Sequence, residues 1–293
     1  MQGKRLWDLR LSEVERSPEA IVALCEQPGV MPAPHWHAQA EVNYVVRGAL
    51  EYRMQGFHAR IAAGDLALFW GGLPHQVVDT EADTLFHVIH LPLFHFFRLR
   101  LAPDLQRRLM HGALLLTAEG REEDVFAFSR WGRYLASRDA RLSGHAVDEL
   151  LLRLERMGFE PHRLLEAGAG GAALPEAADP PTLQGVRRMC GFLGANFRED
   201  IGCAEIAGAA GLHPKYAMSV FKKATGLSLS EYLSLLRVSY AQALLADDSA
   251  NVLQVALESG FGSLSAFNKC FRKKAGMTPS EFKREHRLIP QLS

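Results

Sequence analysis

The sequence contains few cysteines and no spacing that would join them. The four thiols among its 293 residues (Cys25, Cys190, Cys203 and Cys270) lie far apart and form no C-x-x-C pair. This spacing argues against a disulfide framework and against a zinc site built from cysteine ligands. The simplest interpretation is a protein of the reducing cytoplasm.

Long apolar runs are also lacking. No stretch approaches the roughly 18 consecutive apolar residues that a membrane span requires. The first residues show no apolar segment followed by a small-residue cleavage site. We therefore expect neither membrane insertion nor secretion. The apolar fraction of 48% is ordinary for a globular protein, and the length is sufficient for two domains.

Lysine is nearly absent from the first two thirds of the chain, where Lys4 is the only one before Lys215. Residues 182–293 hold 14 basic and 9 acidic side chains, which gives this part a net charge of +5. The preceding part carries the balancing −5, since the whole chain is neutral. A basic C-terminal part following an acidic one indicates that only the C-terminal part meets a polyanion.

Short strand-like segments predominate between about residues 20 and 100. Segments such as EVNYVVRG, ALEYRMQG and DLALFWGG are each bounded by glycine, proline or polar turn residues. Their regular spacing predicts a β-barrel or sandwich. Residues 103–163 instead place apolar side chains at helical intervals. These side chains either fill the intramolecular core or pack against a second subunit. A first domain is thus expected over residues 1–163.

Residues 164–181, LLEAGAGGAALPEAADPP, are rich in alanine, glycine and proline and have no apolar period. Such a composition is typical of a flexible linker. The segment coincides with the change in charge balance. It therefore predicts a boundary before a second domain at 182–293, and hence an α+β protein of two domains.

The second domain contains an internal repeat. Residues 221–232 align with 271–282, and residues 206–211 align with 255–260. Each copy has an alanine-containing helix that ends at a glycine, Gly211 or Gly260, followed by a second helix. This order predicts two helix-turn-helix units, at about 201–225 and 250–275.

The second helix of such a unit lies in the DNA major groove, and those of this chain carry suitable side chains. The candidates for DNA contact are His213, Lys215, Tyr216, Ser219, Lys222, Lys223, Ser263, Ser265, Asn268, Lys269, Arg272 and Lys273. Capping boxes at Ser228–Glu231 and Thr278–Glu281 begin further helices, the first of which is expected to join the two units. Double-stranded DNA is therefore the predicted partner of this domain.

The second domain resembles the AraC/XylS family of bacterial transcription regulators. The resemblance is carried by Ile206-Ala207-x3-Gly211, Val255-Ala256-x3-Gly260-Phe261, Phe267-Asn-x-x-Phe271-Arg-Lys and Gly276-Met-Thr-Pro279-x-x-Phe282. The motifs HWHxQxEVN (35–43), LFWxxxPHQxxDT (68–80) and LP…HG (91–112) are similar to the cupin-type effector domain of the sugar-responsive branch. The resemblance implies a homodimeric activator of a carbohydrate-utilisation operon that binds a sugar effector and contacts RNA polymerase.

A polar stripe in the first domain carries further chemistry. His35, His37, Gln39, Glu41 and Asn43 alternate along one strand and so share a face if that strand is regular. With Trp70 and His75 they are the predicted effector pocket. The spacing His-x-His-x3-Glu-x6-Gly followed by Pro-His resembles the cupin motifs, in which His35, His37, Glu41 and His75 would bind one metal ion.

Three interpretations of this stripe remain open: direct contact with a sugar, a single divalent metal ion, or a satisfied structural cluster. Three imidazoles and one carboxylate suit Fe, Mn, Ni, Cu or Zn and leave open coordination positions. The alternatives to a sugar-responsive regulator are thus a metal-dependent or metal-sensing regulator, or a metal cupin enzyme that carries a DNA-binding module. No catalytic residue is assigned, and no cofactor is certain.

Overall fold

The computed structural model describes residues 14–17, 20–54, 56–137, 139–167, 180–245 and 249–287. Most of the predicted linker, residues 168–179, lies outside the described residues. The described part divides into a β-rich N-terminal half and an all-helical C-terminal half, as expected. None of its helices is long and apolar enough to cross a membrane.

Nine strands form two sheets in the N-terminal half. They are β1 (Val22–Glu26), β2 (Ala40–Arg47), β3 (Ala49–Met54), β4 (Phe57–Ala62), β5 (Leu66–Trp70), β6 (Gln76–Thr80), β7 (Leu85–Leu91), β8 (Leu114–Thr117) and β9 (His162–Leu165). One sheet has the order β1-β7-β2-β5-β8-β9 and the other has the order β4-β3-β6. The cupin-like domain is thus confirmed. Its described strands form two separate sheets rather than one closed barrel, because β3, β4 and β6 pair only among themselves.

The alternation of side chains along the strands separates two apolar cores. Val45 and Phe69 point between the sheets and pack with Leu50 and Tyr52 of the smaller sheet. Alternate residues such as Val42 point to the opposite face, where they join the core formed with the helices. The period of two along a pleated strand produces this division.

Strands also occur where the sequence predicts helix or linker. Strand β8 pairs with β5, and β9, at the start of the predicted linker, pairs with β8. The expectation of helices throughout 103–163 is therefore wrong at Leu114–Thr117 and at the first two residues of β9. A run of three leucines is too short to show a period that distinguishes a buried strand from a helix.

Four helices accompany the sheets: α1 (Leu93–Phe96), α2 (Pro103–Met110), α3 (Glu122–Leu135) and α4 (Ala140–Met157). Helices α3 and α4 pack together, and a buried ion pair joins them. The guanidinium of Arg153 donates to both carboxylate oxygens of Asp124, at 2.7 and 2.8 Å. Both side chains are almost fully buried.

The C-terminal half contains helices α5 (Pro180–Asn196), α6 (Cys203–Ala209), α7 (Pro214–Thr225), α8 (Leu229–Leu245), α9 (Val252–Glu258), α10 (Leu264–Ala275) and α11 (Pro279–Arg287). Pairs α6–α7 and α9–α10 are the two predicted helix-turn-helix units, and α8 joins them. Gly211 and Gly260 have φ of 69° and 82° in the turns, the left-handed region that glycine adopts without strain.

The capping boxes are present as predicted. Glu231 accepts from the backbone N–H of Ser228 at 2.9 Å, and Glu281 accepts from that of Thr278 at 2.7 Å. In return, the Ser228 and Thr278 hydroxyls accept from the N–H groups of these glutamates. Both glutamates therefore stabilise helix starts.

The two halves share one apolar core. Buried residues of the sheet and of α1 belong to the same cluster as Val186 and Met189 of α5 and Phe221 of α7. Helix α1 packs on α5, and α2 contacts α7. The N-terminal half therefore lies directly against the first helix-turn-helix unit.

Candidate metal centre and nucleic-acid interface

Four polar residues of the N-terminal half converge between the sheets. The backbones of His35 and His75 exchange two hydrogen bonds of 2.9 Å, which place their rings 4.4 Å apart. The N–H of His37 donates to the carbonyl of Gly71 at 2.8 Å, and Glu41 lies on β2. One ligand atom from each of the four lies within 4.8 Å of all the others.

The distances within this cluster are those of neighbouring ligands around one ion. Oε2 of Glu41 lies 3.0 Å from Nε2 of His37 and 3.4 Å from Nε2 of His75. Two donors about 2.1 Å from a metal are about 3.0 Å apart at a right angle and about 3.4 Å apart at a tetrahedral angle. The donor spacing therefore suits a single ion shared by the four residues.

Further hydrogen bonds orient the donors. Nδ1 of His75 donates to the carbonyl of Leu73 at 2.9 Å, which leaves the lone pair of Nε2 directed into the cluster. Oε1 of Glu41 accepts from the Tyr52 hydroxyl at 2.7 Å and from the Asn43 amide at 2.9 Å. Such outer contacts fix the tautomer and direction of metal ligands.

The electrostatics of the cluster favour a neutral His35 beside a charged Glu41 carboxylate. Burial, followed by the neighbouring His75 and His37, lowers the pKa of His35 well below its usual value. Burial alone would raise the pKa of Glu41. The hydrogen bond with His37, and then the close approach of the His75 ring, outweigh that effect and hold this pKa well below its usual value. A deprotonated carboxylate and neutral imidazoles are the forms that bind metal ions.

These observations fit a divalent transition metal held by His35, His37, Glu41 and His75. The site offers three nitrogen donors and one oxygen donor, a set that suits first-row ions. When bound, such an ion would supply a Lewis-acidic centre with positions for further ligands.

Two predicted pocket residues lie elsewhere. The amide of Gln39 donates to the carbonyl of Val14 at 2.9 Å and so anchors the N-terminal segment. Trp70 belongs to the core on the opposite face of the sheet, packed with Trp36 and Val42. Successive side chains on a strand point to opposite faces. The side chain of Phe69 faces the cluster, so that of the next residue, Trp70, points away from it. Their assignment to the pocket is therefore corrected.

Sequence reasoning missed two residues that face the cluster, Tyr52 and His90. His90 is opposite Glu41 in the register of β7 with β2, and its Nε2 lies 3.7 Å from Oε2 of Glu41. Neither residue belongs to a spaced motif. Tyr52 on β3 and His90 on β7 each lie two residues from an apolar residue that points between the sheets. This period of two was the signal that could have placed them on the same face.

The second helices of the two helix-turn-helix units present polar faces to solvent. All twelve predicted DNA-contact residues are exposed, while Val220, Phe221, Phe267 and Phe271 on the same helices are buried. Asn268, Lys269, Arg272 and Lys273 line one open groove along α10. The hydroxyl of Ser263 accepts from the N–H of Ala266 at 3.2 Å, so this residue caps α10 in addition to facing outward.

Residues 206–285 match a helix-turn-helix domain family and residues 24–90 match the cupin domain family. The chain is 28% identical over 257 residues to the melibiose operon regulatory protein of Escherichia coli strain K12, a match that covers 88% of this chain and 85% of that protein. It is 26% identical over 110 residues to the Msm operon regulatory protein of Streptococcus mutans, covering 38% of this chain and 40% of that protein.

The fold has a solved counterpart. An apo variant of ToxT from Vibrio cholerae superimposes with a TM-score of 0.52 over 90% of this chain and 97% of its own, at 14% identity. A similarity at such low sequence identity supports only the shared fold and the arrangement of the domains. The relatives that match in sequence are transcription regulators, not enzymes. Both domain matches and the relative that spans them show that the chain has an N-terminal cupin domain and a C-terminal helix-turn-helix DNA-binding domain and is similar to AraC-type transcription regulators.

Proposed function

We propose that the chain is a homodimeric activator of a carbohydrate-utilisation operon whose DNA affinity responds to an effector bound in the cupin domain. The observation that carries the proposal is the pair of helix-turn-helix units, joined by α8, with polar reading faces on α7 and α10. The operon class is supported by the relatives, whose names refer to the melibiose and Msm operons. In this proposal the protein acts in the cytoplasm and contacts RNA polymerase at the promoter.

The reading faces divide into two kinds of contact. Asn268 and Arg272 lie one turn apart on α10 and can pair with the edges of adenine and guanine in the major groove. Lys222 and Lys223, in the last turn of α7, are placed to neutralise phosphates. Phosphate contacts set affinity and its salt dependence, whereas base contacts set sequence preference.

A route for the effector signal follows from the packing. Strand β7 borders the cluster and ends at Leu91, and Pro92 leads directly into α1. Leu93 and Phe96 of α1 are buried in the core shared with α5. A displacement of β7 at the cluster would therefore move α1 and the helices that carry the first reading face.

A dimer surface is available on α3 and α4. Phe126, Leu142 and Leu152 are 76%, 38% and 54% exposed. Exposed apolar side chains mark protein–protein contacts where they gather into one patch. We assign this surface to the second subunit of the homodimer.

A metal-sensing regulator is the second candidate, because the cluster of His35, His37, Glu41 and His75 has the donor spacing of a single ion. A sugar would then bind outside the cluster, or not at all. Thermal unfolding of the full chain with melibiose, other mono- and disaccharides, and divalent metal salts separates these candidates, since a native-state ligand raises the midpoint.

Operator binding tests the reading faces. Fluorescence anisotropy with DNA flanking the protein's own gene, titrated with salt, compares three variants. Arg272→Ala should weaken specific binding by about 5- to 150-fold, the equivalent of 1–3 kcal/mol, with the nonspecific affinity nearly unchanged. Lys222→Ala should weaken specific and nonspecific binding alike and reduce the salt slope by about 1.

Arg60→Ala is the matched control, because Arg60 pairs with Glu81 on the cupin domain and lies outside both reading helices. It should bind as the wild type. Wild-type affinity and salt dependence in both Arg272→Ala and Lys222→Ala would overturn the assignment of α7 and α10.

A further inference from the structure

The two reading helices can be compared position by position. Helices α7 and α10 each have 12 residues. Each is followed by a glycine in the left-handed conformation, Gly226 or Gly276, with φ of 75° and 74°. The buried side chains of Phe221 and Phe271 occupy the same place in the two helices. Every residue of α7 therefore has a counterpart in α10, located 50 residues later in the chain.

One outward position differs in chemistry between the two helices. Met218, the fifth residue of α7, corresponds to Asn268, the fifth residue of α10. Outward pairs one turn away keep polar or basic side chains in both helices, as Lys222 and Arg272 do. The two reading faces are thus alike except that a thioether replaces an amide at this position of α7.

Met218 lies within the reading face of α7. Its side chain is 46% exposed. At 3.6 residues per turn, it is one turn from Lys215 on one side and one turn from Lys222 on the other. The buried side of the helix is formed by Ala217, Phe221 and their neighbours instead. A single exposed apolar residue is ordinary on a protein surface. This one, however, is flanked by cations that suit the phosphates of DNA.

The DNA major groove offers an apolar group through thymine. The C5-methyl group of thymine projects into the groove and contacts apolar side chains, whereas adenine presents N6 and N7 to an asparagine amide. Asn268 therefore suits adenine at its position, and a methionine in the equivalent place does not. The unbranched side chain of methionine adapts readily to an apolar surface.

We propose that Met218 contacts the methyl group of a thymine and makes the first helix-turn-helix unit prefer a different base from the second at the equivalent position. The two units of one chain then require different sequences, so the chain has one preferred direction along its site. This inference rests on the proposed function, because it requires sequence-specific DNA binding by α7 and α10.

Deoxyuridine scanning tests the contact, because replacing thymine by deoxyuridine removes the methyl group and leaves base pairing unchanged. The full chain first selects a duplex from a random library, and each thymine of that duplex is then replaced in turn. Fluorescence anisotropy at constant salt measures the affinity. At one thymine the wild type should lose about 4-fold, as expected for one buried methyl-sized group.

Two substitutions of Met218 assign that thymine to this residue. Met218→Gln keeps the length of the side chain and makes its end polar, so deoxyuridine at that thymine should no longer lower the affinity. Met218→Leu keeps an apolar side chain and should retain the loss. Because the residue is exposed, both variants should keep the wild-type thermal midpoint, which is measured in parallel.

Leu257→Gln is the matched control, because Leu257 is 56% exposed in the same domain but lies on α9, outside both reading helices. It should show every deoxyuridine effect of the wild type. A wild type that binds its selected duplex without methyl dependence would overturn the proposal. An unchanged pattern of losses in Met218→Gln would do the same. In both cases specific binding remains and the proposed function stands, whereas a wild type that selects no duplex would overturn both.

Discussion

Gly71 has no side chain where it faces His37, and adding one should disrupt the cluster. A Cβ at this position would lie 2.1 Å from Cε1, 2.4 Å from Nδ1 and 2.6 Å from Nε2 of the His37 ring. The backbone of Gly71 cannot move away easily, because its carbonyl accepts from His37 N–H and its N–H donates to the carbonyl of Gln39. In Gly71→Ala the imidazole must therefore give way.

The size of the effect follows from these distances. An ordinary contact begins near 3.4 Å, so relieving the 2.1 Å approach requires a movement of roughly 1.3 Å. That movement breaks the 3.0 Å contact between His37 and Glu41. We expect the affinity for Zn²⁺ to fall by about 10- to 100-fold, or 1.4–2.7 kcal/mol. Without metal, the buried carboxylate loses a hydrogen bond, and the free energy of unfolding should fall by about 1–3 kcal/mol.

Chelator competition measures the first effect and urea unfolding of the metal-free protein measures the second. Gly132→Ala is the control, because nothing lies within 4 Å of a Cβ at this position of α3. It should leave Zn²⁺ affinity unchanged and stabilise the helix by up to about 1 kcal/mol. If folded Gly71→Ala keeps both wild-type Zn²⁺ affinity and wild-type stability, the position assigned to the His37 ring is wrong.

Two further predictions concern the fold. Arg153→Met should lower the free energy of unfolding by about 3–5 kcal/mol, because it leaves the carboxylate of Asp124 buried without its bidentate partner. The exposed Arg60→Met should cost under about 1 kcal/mol in the same urea titration. The N–H of Ser228, then its hydroxyl, lowers the pKa of Glu231 below its usual value. Its stabilising contribution is therefore present above about pH 5 and lost as the pH falls through the lowered value. Glu231→Gln should then be less stable than wild type by about 0.5 kcal/mol at pH 7, with the difference vanishing once the pH falls below the lowered pKa of Glu231.

The C-terminal half could be predicted closely because its signals are local and repeated. Turn glycines and capping boxes each specify a backbone conformation within a few residues. The apolar residues at helical spacing around Phe221 and around Phe271 do the same for the second helix of each unit. Two copies of the same pattern confirm one another. The helices of the two units, with α8 between them, follow one another in the order that these signals predict.

The partition of the N-terminal half into two sheets could not be predicted, because strand pairing joins residues far apart in sequence. Leu114–Thr117 pairs with β5, about 50 residues earlier, and nothing within the segment indicates that partner. Trp70 was placed in the pocket on residue type alone. Its position relative to Phe69 on one strand decides the face instead.

His90 shows why motif spacing identifies only part of a site. The residues from His35 to Glu41 are close in sequence, so one stretch of backbone presents them together. The approach of His90 to Glu41 depends on the register between β2 and β7, which are separated by four intervening strands along the chain. Register is set by the packing of both faces of the sheet. A residue that reaches the cluster through register lies on a strand of its own, and here that strand, β7, is followed directly by α1. Spacing within one stretch of sequence carries no information about such a residue.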